Sequence, residues 1–200
     1  MHYYKYGQKE IDYLKSRDRK LGQVIDELGF IKREVNPDVF DSLVTSIIGQ
    51  QISTKAAVTV TERLKEMVGE ISAETIYNAR VEDIQECGMT MRKAGYIKGI
   101  AEAAIEDKLD FDGLHRLSDE EIVKELVKLK GVGEWTAEMM LIHTFQRPDV
   151  LSYKDLGIRR GIERLYGLEE VRKEEFEECR ERYSPFGTVT SVYLWEVSKG

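Results

Sequence analysis

The sequence predicts an all-α protein, and three observations lead there. Apolar residues recur at the three- and four-residue spacing of a helix face along most of the 200 residues. Runs that alternate apolar and polar residues, as a half-buried strand requires, are scarce. All three prolines, Pro37, Pro148 and Pro185, fall between helical patterns or at a helix start, where a missing N–H costs least. About ten helices with short connections follow, with no low-complexity tract and no clear long repeat.

Taken in order, Leu43, Ile47, Ile48 and Ile52 form one apolar stripe, and Val58, Val60, Leu64 and Met67 extend another. Ser118-Asp-Glu-Glu121 is a capping box, in which serine and glutamate satisfy the open N–H groups of a helix start. Val123, Leu126 and Leu129 line the helix it opens. A tight Gly131-Val132-Gly133 hairpin then leads into a second helix carrying Trp135. Asp155 stands at the start of a further helix that Gly167 can end. The last apolar segment, Thr188 to Trp195, is the nearest approach to a strand pattern and also fits a buried helix.

A chain of this length suits one domain, or two lobes sharing one core. Its two cysteines, Cys87 and Cys179, form no C-x-x-C pair and no four-cysteine cluster, which argues against zinc or an iron–sulfur cluster and fits a reducing cytoplasm. The N-terminus has no apolar signal core, and no apolar run approaches a membrane span, so no membrane partner is expected. Net charge is −7. That sum opposes nucleic-acid binding only weakly, because binding depends on where charge sits. Basic residues gather at Arg92, Lys93 and Lys98, at Lys128 and Lys130, and at Lys154, Arg159, Arg160 and Arg164. Such groups are either solvated helix faces or contacts for a polyanion.

The segment Leu126–Ile142, LVKLKGVGEWTAEMMLI, carries the strongest chemical signal. A Gly-x-Gly turn that opens a helix presents backbone N–H groups, and the positive helix end, to an anion. Both glycines allow backbone geometry closed to other residues and leave room for a phosphate. By itself a Gly-x-Gly turn is a weak signal and reads first as a tight connection between two packed helices. Asp155, twenty residues after Trp135, adds a carboxylate that either caps its helix or does chemistry on the bound polyanion.

The longer pattern L-x-x-L-x-G-V-G-x-W-T-A resembles the helix-hairpin-helix element of the HhH-GPD superfamily of DNA base-excision glycosylases. Asp149 to Ile162, DVLSYKDLGIRRGI, occupies the place of that superfamily's stretch leading to an essential Asp. SIIGQQISTKAA from Ser46 to Ala57 and GMTMRKAGYIKGIA from Gly88 to Ala101 are similar to the 3-methyladenine DNA glycosylase II (AlkA-like) branch. So is the last helix, from Ser184-Pro-Phe to Trp195, and the blocks keep the family's order from about residue 40 to 196.

The resemblance implies a two-lobed helical fold with the active cleft between the lobes. Residues of about 40–145 would form one lobe, and about 1–38 with 146–200 the other. Few residues precede Val39, so the compact form without an N-terminal β-rich domain is expected. Asp155 maps onto the catalytic carboxylate. Trp135 and Trp195 match aromatic positions of the base pocket, with Met139 on the same helical face as Trp135. Large aromatics also pack ordinary cores. Tyr153 and Phe186 are further candidate walls. Gln51 would fill the gap left by a flipped nucleotide, with Gln50 supporting it, although an exposed turn explains both amides equally well. Lys130, Gly131, Val132, Gly133, Thr136 and Arg92 would contact DNA. Carbonyls of Val127, Leu129 and Val132 would hold a monovalent Na+ or K+; no other cofactor is implied.

Bifunctional relatives carry a lysine nucleophile where Trp135 stands, so the resemblance implies a monofunctional enzyme that uses water on alkylated purines in duplex DNA. This chain departs from the family in having Lys154 instead of an acid before Asp155, Tyr153 instead of a proline, and Gly187 instead of an arginine. Lys154 keeps lyase chemistry open. The residues also admit a glycosylase for uracil, a mismatch or an oxidised purine, and a non-catalytic helix-hairpin-helix module that only binds DNA. A monomer is expected, in the cytoplasm at the nucleoid if the source is prokaryotic.

Overall fold

A computed structural model of the chain describes residues 2–200. In chain order it consists of β1 (His2–Tyr3), α1 (Gln8–Arg17), α2 (Arg19–Leu28), β2 (Glu34–Val35), α3 (Val39–Gly49), α4 (Thr54–Val68), α5 (Ala73–Asn78), α6 (Val81–Glu86) and α7 (Met91–Ile105). A 3-10 turn at Gly113–Arg116 then precedes α8 (Asp119–Leu126), α9 (Glu134–His143), α10 (Leu156–Tyr166), α11 (Lys173–Tyr183) and α12 (Gly187–Val197). The expected all-α class holds. Among the described residues the only sheet is the antiparallel ribbon pairing His2 with Val35 and Tyr3 with Glu34. The chain divides into two units: the N-terminal stretch up to Val35 joined with Gln146–Gly200, and Asn36–Phe145.

In the first unit α12 is buried along most of its length, with Val189, Val192, Tyr193 and Leu194 in the core and Thr188, Thr190 and Ser191 buried beside them. Its close neighbour is α10, and glycines set the approach. A Cβ on Gly161 would lie 2.4 Å from the Leu194 carbonyl oxygen and 2.8 Å from its Cβ. Only hydrogen fits where these helices cross. Leu14, Leu21, Ile158, Ile162, Phe176 and Tyr183 complete this core. Gly167, left-handed at φ 73°, ends α10 as expected. A buried polar knot ties α2 to the C-terminal helices. Asp18 caps α2 through the Leu21 N–H and accepts hydrogen bonds from Tyr166, Tyr183 and Arg182.

In the second unit α7 packs against α3, α5 and α6. Side-chain caps start most of the helices: Asp38 on α3, Ser53 on α4, Ser72 on α5, Thr90 on α7 and Ser118 on α8, the last as the expected capping box. Two apolar stripes differ from expectation. α3 stops at Gly49 because Gln51 turns left-handed, at φ 60°, so Ile52 lies exposed in the connection. On α4 only Val60 and Leu64 are buried, while Val58 and Met67 face solvent. Leu129 lies beyond the end of α8 but is buried beneath the hairpin.

Candidate functional site

Asp155 and Trp195 belong to the first unit, and the two glutamines, Trp135, Met139 and the hairpin belong to the second. In the first unit, Asp155 is the N-cap of α10 and is only 7% exposed. Its Oδ1 accepts the Ile158 N–H at 2.8 Å and the Trp195 indole N–H at 2.9 Å. The capping and site readings of this carboxylate therefore coexist: the backbone bond ends the helix, and the indole bond orients the acid. Gly157 makes room, because a Cβ there would sit 2.9 Å from Trp195 Cδ1 and 3.1 Å from Asp155 Oδ1.

Trp195 has a second neighbour. The Arg33 guanidinium stacks 4.3 Å from the ring centroid, a cation–π contact. Burial pushes the Arg33 guanidinium below its usual range, while the charges of Glu196 and Asp155 act to raise it. The Trp195 ring face under Arg33 is thus occupied, and its N–H is committed to Asp155. Tyr153 and Phe186, considered as pocket walls, pack into the first unit's core. Tyr153 meets the edge of Phe176 and carries Arg159 over its ring, and Phe186 meets the edge of Tyr13. Lys154 is exposed where Asp155 is buried.

In the second unit the hairpin forms as a tight turn in which the Val132 N–H reaches the Leu129 carbonyl at 3.1 Å. Its two glycines do different work: both allow backbone geometry closed to other residues, and Gly131 is the one that uses it. Gly131 is left-handed, φ 90°, and a Cβ there would strike the Tyr96 ring at 2.4 Å. Gly133 is extended and caps α9, with nothing within 4 Å of a Cβ. Lys130 is exposed beside the turn, whereas Lys128 pairs with Glu125 at 2.6 Å.

Beside the hairpin lies a pocket of about 600 Å³ lined by Ser46, Gly49, Gln50, Gln51, Gly133, Trp135, Thr136 and Met139. Trp135 is 45% exposed, so it is not a core tryptophan. Met139 follows it at i+4 on the same face. Thr136, expected to contact DNA, is buried and forms pocket wall. The Gln50 amide donates to the Gly131 carbonyl at 2.9 Å, which ties the end of α3 to the hairpin. Arg92 is exposed in the first turn of α7.

Two basic residues, read from the sequence as either phosphate contacts or solvated side chains, are engaged inside the unit instead. Lys93 donates to the carbonyls of Ile48 and Gln50, and Lys98 to those of Ile76, Tyr77 and Ala79. Carbonyls at helix ends lack intrahelical partners, and an ammonium satisfies several at once. Three pocket and site residues escaped the sequence reading. Ser46 and Gly49 had a signal, since they lie in the last turn of the helix that Gln50 ends. Arg33 had none, because its partner is at the far end of the chain. Among the described residues no cluster of three or more His, Cys, Asp or Glu could hold a metal, and no helix is long and apolar enough to cross a membrane.

The model of the HhH-GPD superfamily base excision DNA repair protein matches residues 44–185. DNA-3-methyladenine glycosylase 1 of Schizosaccharomyces pombe is 34% identical over 165 residues, covering 80% of this chain and 72% of that protein. A crystal structure of DNA-3-methyladenine glycosidase from Bacillus halodurans aligns with TM-score 0.86 at 32% identity, covering 99% of this chain and 93% of that one. The Schizosaccharomyces pombe 3-methyladenine DNA glycosylase in complex with abasic DNA aligns at TM-score 0.82 and 30% identity, covering 96% and 98%.

Proposed function

From its place in the HhH-GPD superfamily of base excision DNA repair proteins, to which this chain belongs, we propose that it is a monofunctional DNA glycosylase that removes alkylated purines from duplex DNA. The observation that carries this reading is the buried carboxylate of Asp155, oriented by the Trp195 indole; the resemblance in sequence gives it the part of the family's catalytic acid. Breaking the N-glycosidic bond of a cationic alkylpurine sends the bonding electron pair to the base, which leaves neutral, and positive charge gathers on the sugar at C1′. A fixed carboxylate stabilises that charge and orients a water that adds to C1′ and gives up a proton, leaving an abasic sugar.

The remaining roles follow from the geometry of the second unit. Half-exposed Trp135, with Met139 beside it, offers an indole face to a cationic base, worth roughly 0.5–2 kcal/mol. Because Arg33 covers a face of Trp195, we assign Trp195 to holding Asp155 before any part in stacking a base. Extruding a nucleotide costs a few kcal/mol, and Gln51, exposed at the pocket rim, would recover part of it by filling the gap. The hairpin and the positive N-terminal end of α9 at Gly133, with Lys130 and Arg92, would take phosphates of the damaged duplex. Carbonyl oxygens of Val127, Leu129 and Val132, in the segment from the α8 C-cap through the hairpin, would offer hard oxygen ligands to a sodium or potassium ion that brings positive charge to the DNA backbone. Trp135 in place of a lysine, and the exposure of Lys154 next to a buried Asp155, favour water over an amine as the attacking group.

The test is release of bases from methylated duplex DNA by the protein and by Asp155→Asn. The parent is expected to release 3-methyladenine and 7-methylguanine and leave intact abasic strands, and Asp155→Asn to bind DNA without turnover. No release by the parent across a range of salt would sink the proposal. Strand ends from β-elimination, lost in Lys154→Ala, would replace it with a lyase.

A further inference from the structure

The connection between α3 and α4 is held in a conformation that its own residues disfavour. Gln51 has φ 60°, in the left-handed region that residues other than glycine seldom occupy. Such a residue persists where its surroundings over-determine it, and it clusters where geometry serves function. Here main-chain bonds from Gln50 to Ile47 and from Ile52 to Gly49 close the turn, and two side chains hold it. Lys93, from the first turn of α7, donates to the Ile48 carbonyl at 2.8 Å and to the Gln50 carbonyl at 2.5 Å. One ammonium thus grips both ends of the turn that leads into Gln51. The Gln50 side chain reaches the other way, to the Gly131 carbonyl of the hairpin.

We infer that Lys93 is a positioning residue for Gln51. It clamps the end of α3 so that the gap-filling side chain is presented in a fixed pose, and through Gln50 it ties that pose to the hairpin. The inference rests on the assignment of Gln51 to the gap of a flipped nucleotide. Lys93 is half-buried, with its ammonium turned onto main-chain oxygens, so it is not a phosphate ligand. The benefit is preorganisation. A connection left free would have to be ordered each time it entered DNA, and fixing one flexible residue is worth about tenfold in affinity.

The experiment measures binding to a duplex holding a stable abasic analogue with 2-aminopurine opposite, whose fluorescence reports what enters the gap. It needs no turnover, so it decides the role of Lys93 even if the parent protein releases no methylated base. Lys93→Met is expected to weaken binding about tenfold and reduce the fluorescence change, and Lys93→Arg to restore part of both. Gln51→Ala is expected to do the same as Lys93→Met, and the double variant to be no worse than Gln51→Ala alone, because both act through one side chain. The dependence of affinity on salt should keep the parent's slope. Additive losses in the double variant would overturn the inference. So would a salt slope reduced by about 0.9 in Lys93→Met, the mark of a lost phosphate contact. Should Lys93→Met melt well below the parent, Gln50→Leu cuts the tie to Gly131 without touching Lys93. It is expected to show the same dependence on Gln51, and its additivity with Gln51→Ala would count equally against the clamp.

Discussion

Replacing Trp195 by phenylalanine separates the two jobs an aromatic residue can do beside Asp155. The substitution keeps an apolar ring for Arg33 to stack on and for Gly157 to accommodate, and it removes one N–H. That N–H donates to Asp155 Oδ1 at 2.9 Å, whereas the Ile158 amide, which donates to the same oxygen, caps the helix. A hydrogen bond to a charged group is worth roughly 1.5–3 kcal/mol. If the bond sets the pose of the carboxylate at the developing sugar cation, its loss slows the chemical step roughly ten- to hundredfold. Single-turnover release of 7-methylguanine, with enzyme in excess so that DNA affinity drops out, reads this directly. Thermal melting checks the fold, and a shift of only a few degrees is expected because Trp195 is partly exposed. A parent-like rate for Trp195→Phe beside a slow Trp195→Ala would refute the argument. Bulk and apolar surface would then explain Trp195, and the indole bond would be incidental.

Two predictions concern the frame that holds this carboxylate. Gly161→Ala places a Cβ 2.4 Å from the Leu194 carbonyl oxygen, so α10 and α12 must part. Overpacking of this kind costs about 1–3 kcal/mol, and at roughly 2–4 °C per kcal/mol a fall in Tm of several degrees is expected; an unchanged Tm would contradict the packing described for this crossing. The carboxyl of Asp18 is held below the usual carboxylate range. Burial raises it, but the bonds from Tyr166, the Leu21 amide, Arg182 and Tyr183 outweigh burial. A folded value below the unfolded one, about 3.9, means stabilisation that is present above that pH and lost as pH falls through the folded value. Urea titrations should therefore show Asp18→Asn less stable than the parent at pH 7, with the difference narrowing below about pH 4. A difference independent of pH would show that charge on Asp18 contributes nothing.

Much of the site was legible because its parts are local. A left-handed glycine at 131, a capping box from Ser118 to Glu121, an N-capping Asp155 and a terminating Gly167 are each settled by conformation and hydrogen bonds within a few residues. The spacing of Trp135 and Met139 placed them on one helical face for the same reason. Where local signals conflict, periodicity alone misleads. Ile52 continues the apolar period of α3, but the turn at Gln51 ends the helix first, and Lys93 and Lys98 look like phosphate ligands because side chains that cap another helix resemble any surface lysine.

The sequence by itself determined an all-α chain, the hairpin, the helix start that carries Asp155, and the family in which those blocks occur in order. Only the tertiary structure decided which side chains meet: the Trp195 indole on Asp155, Arg33 on the Trp195 face, Gln50 on the Gly131 carbonyl, and Lys93 on the end of α3. The physical reason is range. Caps and turns are fixed by hydrogen bonds within one or two turns of the chain. The partner of a long side chain depends on which helices cross and how closely, and that is set by contacts such as Gly161 on Leu194, between residues far apart in sequence.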